Sequence, residues 1–480
     1  MIRPFRKNTI LFLSLLSFVL QDASAQRAEI NDFIKTANFR HAGIGIKVVE
    51  VSSGKTICAY NEQTALCPAS CMKLVSSATA LEALGSDFTY KTILFTNGTL
   101  DSQGDLQGDL YIKGVGDPTL GSGFIEKDPN VFLDQWLTDI RKAGIKAVNG
   151  DIIALDDLFG YEGVSPWWIW VDIGNYYAPG IYGISVFDNT YRLSLKSGAV
   201  GTCPEILGWE PATVPLKFEN NLKAAANNTD SAYIYGQPFD PERKIFGTIP
   251  QNRSSFTIKG DIPDPGLFLA SHFKAVLEKA GIRIVGEAST SRLKKVRPEE
   301  KKILSQTISP DLEEVIRVTN FRSNNHYAEY LFKRVGAGNK VKELWKIKGL
   351  DTDALFMYDG SGLSPVNAVS VDFLTGLLVY MASKSKYSEA CYRSLPRAGK
   401  EGTVAGFLKN TSLDGISRIK SGSMGGVLSY SGYIDKNGKR YAFSVILNKF
   451  NGAHSEARKQ VEKLLVSLFN NPQANIGNTL

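Results

Sequence analysis

Cys67-Pro68-Ala69-Ser70-Cys71-Met72-Lys73-Leu74 opens an apolar segment, and its reading decides how the rest of the chain is placed. Ser70 and Lys73 stand three residues apart, so one helical turn sets a hydroxyl and an amine on the same face. Cys71, Leu74, Val75, Ala78 and Leu81 follow at i, i+3, i+4, i+7 and i+10, a stripe at helical spacing. Leu84-Gly85 ends it, with Gly85 as the C-cap. Ser70 is therefore expected at a helix N-terminus, where free backbone N–H groups point outward.

Outward from that helix, residues 42–51 alternate as a strand, Gly54 turns the chain, and residues 56–60 return. Near the other end, residues 416–423, 427–435 and 440–447 read as strands. Gly425-Gly426 and Asn437-Gly438 supply the turns between them. A helix with Ala457, Val461, Leu464, Leu465 and Leu468 on one face closes the pattern. The late three-stranded meander should complete the sheet begun by the two early strands. The expected fold class is thus α/β (α+β), with a five-stranded antiparallel sheet flanked by helices.

From about Asp87 to Glu299 the texture changes to short strands and Gly/Asn/Asp turns. Two helix-then-strand units, 131–150 and 267–286, resemble each other weakly, as a common supersecondary unit would. The expected organisation is a catalytic domain in two parts, 26–88 and 296–480, split by a β-rich insertion at 89–295. After the insertion, Ser309-Pro310-Asp311 reads as an N-cap, a proline at the first helical position and a first-turn acid. Ser323-Asn324-Asn325 then falls in a loop between two helices.

The first 25 residues stand apart. Arg3, Arg6 and Lys7 form a basic start, residues 10–20 an apolar run, and Ala23-Ser24-Ala25 a small-x-small cleavage site. That is the anatomy of a secretory signal peptide, and the run is too short to span a bilayer, which needs ~20 residues. A length of 480 residues exceeds what one core serves. The net charge of +7 is scattered, which argues against nucleic acid as a partner. Five cysteines are an odd number with no CxxC. Cys67 and Cys71 lack the downstream His or Cys pair that a zinc site requires, so no metal and no cofactor is expected.

A serine hydroxyl attacks poorly until a base takes its proton. None of His41, His272, His326 and His454 is framed for that role, and no G-x-S-x-G elbow exists. Lys73 can be the base if its amine, ordinarily at a pKa of ~10.4, is neutral part of the time. A second cation would help: Lys420 at ~6 Å and an effective dielectric of ~20 would repel it by ~3 kcal/mol, worth ~2 pK units. Desolvation acts in the same direction. Ser323 can pass a proton to a leaving amine, because a hydroxyl both donates and accepts. Asn325 can hold a substrate amide from both ends. Lys420 and Ser421 offer a cation and a hydroxyl to a carboxylate, Gly422 allows close backbone approach, and the N–H groups of Ser70 and Ser423 can face an oxyanion.

S-x-x-K, S-x-N and K-S-G in this order, at a helix start, an interhelical loop and a strand, form the set shared by penicillin-binding proteins and class A β-lactamases. Further stretches narrow the match. They are Gly116-Asp117-Pro118-Thr119-Leu120, Tyr327-Ala328-Glu329 after the S-x-N motif, Asp359-Gly360-Ser361-Gly362-Leu363-Ser364, residues 395–403 (LPRAGKEGT), and Lys420-Ser421-Gly422-Ser423. With them the chain resembles the class C low-molecular-mass penicillin-binding proteins, the D-Ala-D-Ala carboxypeptidase/endopeptidases of peptidase family S13. The 253 residues between Ser70 and Ser323 fit that family's insertion, whereas class A β-lactamases have a far shorter gap.

The resemblance implies a penicillin-binding, β-lactamase-like transpeptidase domain in a periplasmic hydrolase of peptidoglycan stem peptides. Ser70 would be acylated by the penultimate D-Ala carbonyl, and β-lactam antibiotics would inhibit by acylating the same serine. In the family an aspartate of the insertion helps bind the stem's diamino acid, and Asp156 is the position matched to it. Two departures stand out: K-S-G replaces K-T-G, and Pro365 stands where many members carry an arginine. Two readings compete with the peptidase. A β-lactamase or ester hydrolase would need a fast deacylation base, for which the interval between Ser70 and Ser323 shows no clear case. A catalytically silent wall-binding protein would not be expected to keep every motif. Oligomeric state is not legible in the sequence.

Overall fold

Hydrophobic strands covered on both faces organise the part of the chain that carries the motifs. The computed structural model describes residues 28–470; the signal-peptide stretch at 1–25 lies outside them. The five-stranded sheet runs in the order Thr56–Tyr60, Gly43–Glu50, Lys439–Asn448, Val427–Lys436, Ser417–Met424, every neighbour antiparallel. Val427–Lys436 is buried along eight consecutive residues, as a central strand with both faces covered must be. One face packs on helices Met72–Leu84, Leu312–Phe321 and Val371–Ser383 through Leu74, Ile316 and Leu377. The other takes Val461, Leu464 and Leu465 of the C-terminal helix His454–Asn470. The turn at Asn437-Gly438 has positive φ at both residues, 53° and 73°, the geometry that matches a hairpin to strand twist.

Ser323 lies between helices Leu312–Phe321 and Asn325–Arg334, as expected, at φ 52°. Two local readings change. The N-cap of Leu312–Phe321 is Asp311, which accepts from the Glu314 N–H at 3.0 Å, and not Ser309. Ser309 instead accepts the Tyr90 N–H at 2.9 Å. Asp311→Ala should cost about 1 kcal/mol, readable as a lower denaturation midpoint at unchanged m-value. Second, Ser70 lies in a separate 3-10 turn, Ala69–Cys71, that precedes the α-helix Met72–Leu84. Ala69 at φ 44° turns the chain into it.

The middle of the chain has its own core around Leu110, Trp136, Ile152, Tyr191, Ile245 and Phe273. Its main sheet runs Ala288–Thr290, Ile152–Leu155, Leu110–Lys113, Lys91–Thr96, Lys302–Ile308. The chain therefore re-enters this sheet at 302–308 before it returns to the helices. The two similar helix–strand units lie side by side: Ala147–Val148 pairs in parallel with Arg283–Ile284, and Ile152–Leu155 with Ala288–Thr290. Buried hydrogen bonds tie this region to the motif-bearing part, among them Trp168 Nε1 to Asp359 Oδ2 at 2.9 Å and Tyr327 OH to Ser122 Oγ at 2.7 Å. Among the described residues, no helix is long and apolar enough to cross a membrane.

Candidate active site

The 3-10 turn, the interhelical loop and the edge strand Ser417–Met424 converge. Lys73 Nζ is 2.9 Å from Ser70 Oγ, 2.6 Å from Asn325 Oδ1 and 2.7 Å from the Ser361 carbonyl oxygen. Lys420 Nζ donates to Ser323 Oγ at 3.0 Å and to the Ser421 carbonyl at 2.7 Å. Both lysines are fully buried. Burial first, then the charge of Lys420, holds the Lys73 amine well below the ordinary lysine range. Burial brings Lys420 down to about 8.

The three contacts of Lys73 fit an ammonium that donates to all three oxygens, and equally a neutral amine that keeps its lone pair for Ser70. Asn325 Nδ2 donates to the Tyr177 carbonyl at 2.8 Å, which turns Asn325 Oδ1 toward the lysine. Asn325 Oδ1 and Ser361 O can only accept, so they take the two N–H bonds of an uncharged amine. The remaining lone pair then faces the Ser70 hydroxyl. A protonated Lys73 would have no lone pair left for Ser70.

Gly422 sits against the Ser70 turn. A Cβ there would overlap Ser429 Oγ and stand 2.5 Å from the Pro68 carbonyl and 2.9 Å from the Ser70 nitrogen. Ser429 Oγ donates to the same Pro68 carbonyl at 2.5 Å. Strand and turn are thereby fixed to each other, with only glycine able to occupy the contact. Ser421 Oγ meets Thr403 Oγ1 at 2.8 Å, and Ser423 is exposed, its hydroxyl 3.2 Å from His454 Nδ1.

Ser70, Lys73, Ser323, Asn325, Lys420, Ser421 and Gly422 thus share one site. Asp156 does not join it. That carboxylate is 2 % exposed and accepts from Ser291 Oγ at 2.8 Å and Tyr161 OH at 3.1 Å. Its partners lie inside the middle region, and it does not line the cavity beside Ser323 and Asn325. Four residues at the site were given no role from the sequence: Tyr177, which nothing singled out, and Glu329, Asp359 and Ser361, which lay in stretches that carried the family resemblance. Of these, Glu329 alone had a signal in its spacing, at i+4 from Asn325 on one helix face. A cavity of about 970 Å³ opens beside Ser323 and Asn325, lined among others by Tyr176, Asp188, Lys259 and Arg322. Among the described residues, no cluster of three His, Cys, Asp or Glu side chains could hold a metal ion.

The sequence model of the D-Ala-D-Ala carboxypeptidase 3 (S13) family matches residues 26–470. The chain belongs to that family. It is a serine-type D,D-peptidase. A curated D-alanyl-D-alanine carboxypeptidase from an Actinomadura species is 28% identical over 463 residues, covering 90% of this chain and 84% of its own. The D-alanyl-D-alanine carboxypeptidase DacB of Haemophilus influenzae is 23% identical, covering 87% and 88%. In fold the chain is similar to the crystal structure of penicillin binding protein 4 from Haemophilus influenzae, with a TM-score of 0.78 over 92% of this chain and 98% of that one. A second structure of that protein holds a β-lactam, at a TM-score of 0.72, 22% identity and coverage of 90% and 96%. At 23% and 22% identity these two structures bear on fold alone.

Proposed function

We propose that Ser70 is the nucleophile of this peptidase and Lys73 its general base. The observation that carries the reading is Lys73 Nζ at 2.9 Å from Ser70 Oγ with two obligate acceptors, Asn325 Oδ1 and Ser361 O, on its other sides, so that once deprotonated its lone pair faces Ser70. The Ser70 oxygen attacks the penultimate D-Ala carbonyl of a peptidoglycan stem peptide as its proton passes to Lys73. Ser323, bonded to Lys420, gives its proton to the departing amine as it takes the one held by Lys73, so the acyl bond to nitrogen breaks, the ester to Ser70 persists and Lys73 is a free base again. Water then cleaves the ester. The Ser70 N–H, beside Gly422, and the Ser423 N–H serve the oxyanion. Lys420 and Ser421 take the substrate's terminal carboxylate, and Asn325 the stem's backbone amide.

β-Lactams present an analogous amide in a strained ring whose leaving nitrogen stays tethered, so they should acylate Ser70 and remain. The signal-like first 25 residues place the enzyme in the periplasm, where stem peptides are. The catalytic unit comprises 26–88 and the C-terminal part of the chain. The inserted region starts near 89 and extends beyond 295 through Ile308, since Lys302–Ile308 pairs with Lys91–Thr96.

A labelled penicillin tests the assignment. Wild-type protein should retain one label per chain, and Ser70→Ala should retain none while its melting temperature is unchanged. Labelling of Ser70→Ala at the wild-type rate would overturn it, and rapid turnover of the wild-type adduct would favour a β-lactamase.

A further inference from the structure

One buried carboxyl of the site takes no part in those steps. Glu329 stands four residues after Asn325 on helix Asn325–Arg334 and is 4 % exposed. Its Oε1 accepts from the Ser361 N–H at 2.7 Å and its Oε2 from the Gly360 N–H at 3.1 Å. Ser76 Oγ holds the Gly360 carbonyl at 2.5 Å. The next carbonyl along, that of Ser361, is the one that accepts from Lys73. A Cβ on Gly360 would overlap the Ala328 carbonyl and the Phe332 side chain, so this segment lies flush on the Glu329 helix.

We infer that Glu329 is a positioning residue for acylation: its carboxylate clamps the Gly360–Ser361 backbone so that the Ser361 carbonyl presents Lys73 Nζ to Ser70. The inference rests on the reading of Lys73 as the base. Two adjacent N–H donors ask for an acceptor with two equivalent oxygens, which a carboxylate supplies and a glutamine does not. In Glu329→Gln the amide nitrogen confronts one of the two donors, and the clamp loses a bond.

Charge gives the clamp a second signature. The groups facing Lys73 are Lys420 from the strand, Asp359 and Glu329 from the far side, and the Cys71 thiol on its own turn. Burial and Lys420 depress the Lys73 amine, whereas Asp359 and Glu329 pull it back up. Burial and the neighbouring Asp359 push the Glu329 carboxyl up to about 8. Once ionised, at pH values near and above 8, Glu329 favours protonated Lys73, so its removal lowers the pH at which Lys73 becomes a free base.

The test is the acylation rate constant for a chromogenic β-lactam from pH 6 to 10, with label stoichiometry counting the folded fraction. In Glu329→Gln the rate constant should fall at least about tenfold with the noncovalent dissociation constant unchanged, and the ascending limb should move to lower pH by about half a unit or more. Glu329→Asp, which keeps the charge, should hold the limb at its wild-type position. Ser76→Ala loosens the same segment without changing charge and should slow acylation with an unmoved limb. A wild-type rate and limb in Glu329→Gln overturn the inference, as does a fall in rate with an unmoved limb. Should Glu329→Gln not fold, a wild-type rate in Ser76→Ala overturns it. Lys73→Ala separates the two levels: normal labelling there refutes the base, whereas a silent Lys73→Ala beside a normal Glu329→Gln refutes only the clamp.

Discussion

Lys73→Ala is expected to lose penicillin acylation by about a thousandfold or more, the range of a positioned general base together with its ordering of the nucleophile. The protein should still fold, because burial and the neighbouring Lys420 already disfavour a charge on the amine that is removed. The loss has a specific origin. Ser70 Oγ is left without a proton acceptor, and Asn325 Oδ1 and the Ser361 carbonyl are left without their donor. Lys73→Arg should not rescue, since a guanidinium has no lone pair to offer. In the wild type, the acylation rate should rise with pH through the Lys73 ionisation and be established at pH values well below those of an ordinary lysine. The sign follows from the role: the reactive form is the deprotonated one, and both burial and Lys420 favour it. Stopped-flow acylation with a reporter β-lactam reads all three outcomes. Labelling of Lys73→Ala at the normal rate would remove the base from the mechanism.

Why the lysine was legible and its supports were not is a matter of distance along the chain. Ser70 and Lys73 are linked by one helical turn, so three residues of sequence suffice to place them together. Ser323 and Lys420 were recognisable because each sits in a motif with its own local geometry, a positive-φ loop position and a strand edge. Tyr177 acts through a backbone carbonyl that the middle region supplies, and Ser361 and Asp359 through a carbonyl and a carboxylate on a loop almost 290 residues after Lys73. No periodicity reports such contacts. Asp156 is the converse case. It follows a strand and precedes a turn, as a cleft acid would, but its side chain points to Ser291 and Tyr161. In Ser309-Pro310-Asp311 two residues are each able to cap; Ser309 is taken by the Tyr90 N–H, and Asp311 caps. The five strands and the flanking helices were legible because their apolar patterns are long. The short strands of the middle region, several of only two or three residues, gave texture without topology.

Gly422→Ala is the second large effect, and it tests how the strand positions the nucleophile. The added methyl would meet three groups that cannot all retreat. Pro68 O and Ser70 N belong to the backbone of the nucleophile's own turn, and Ser429 Oγ is held by its bond to Pro68. Gly422 is also locked in register, paired with Ser429 across the strands. Relief must therefore come from moving the Ser70 turn away from the strand, not from a rotamer change. That displaces Ser70 Oγ from Lys73 and its N–H from the oxyanion position together. A shift on the order of 1 Å costs about 100-fold in rate, while overpacking costs about 1–3 kcal/mol of stability. The expected result is slowed acylation with near-normal label stoichiometry at long times. A modest drop in melting temperature should accompany it. Acylation within twofold of wild type would mean that strand and turn part without consequence, and that the close approach at Gly422 does not set the geometry of Ser70.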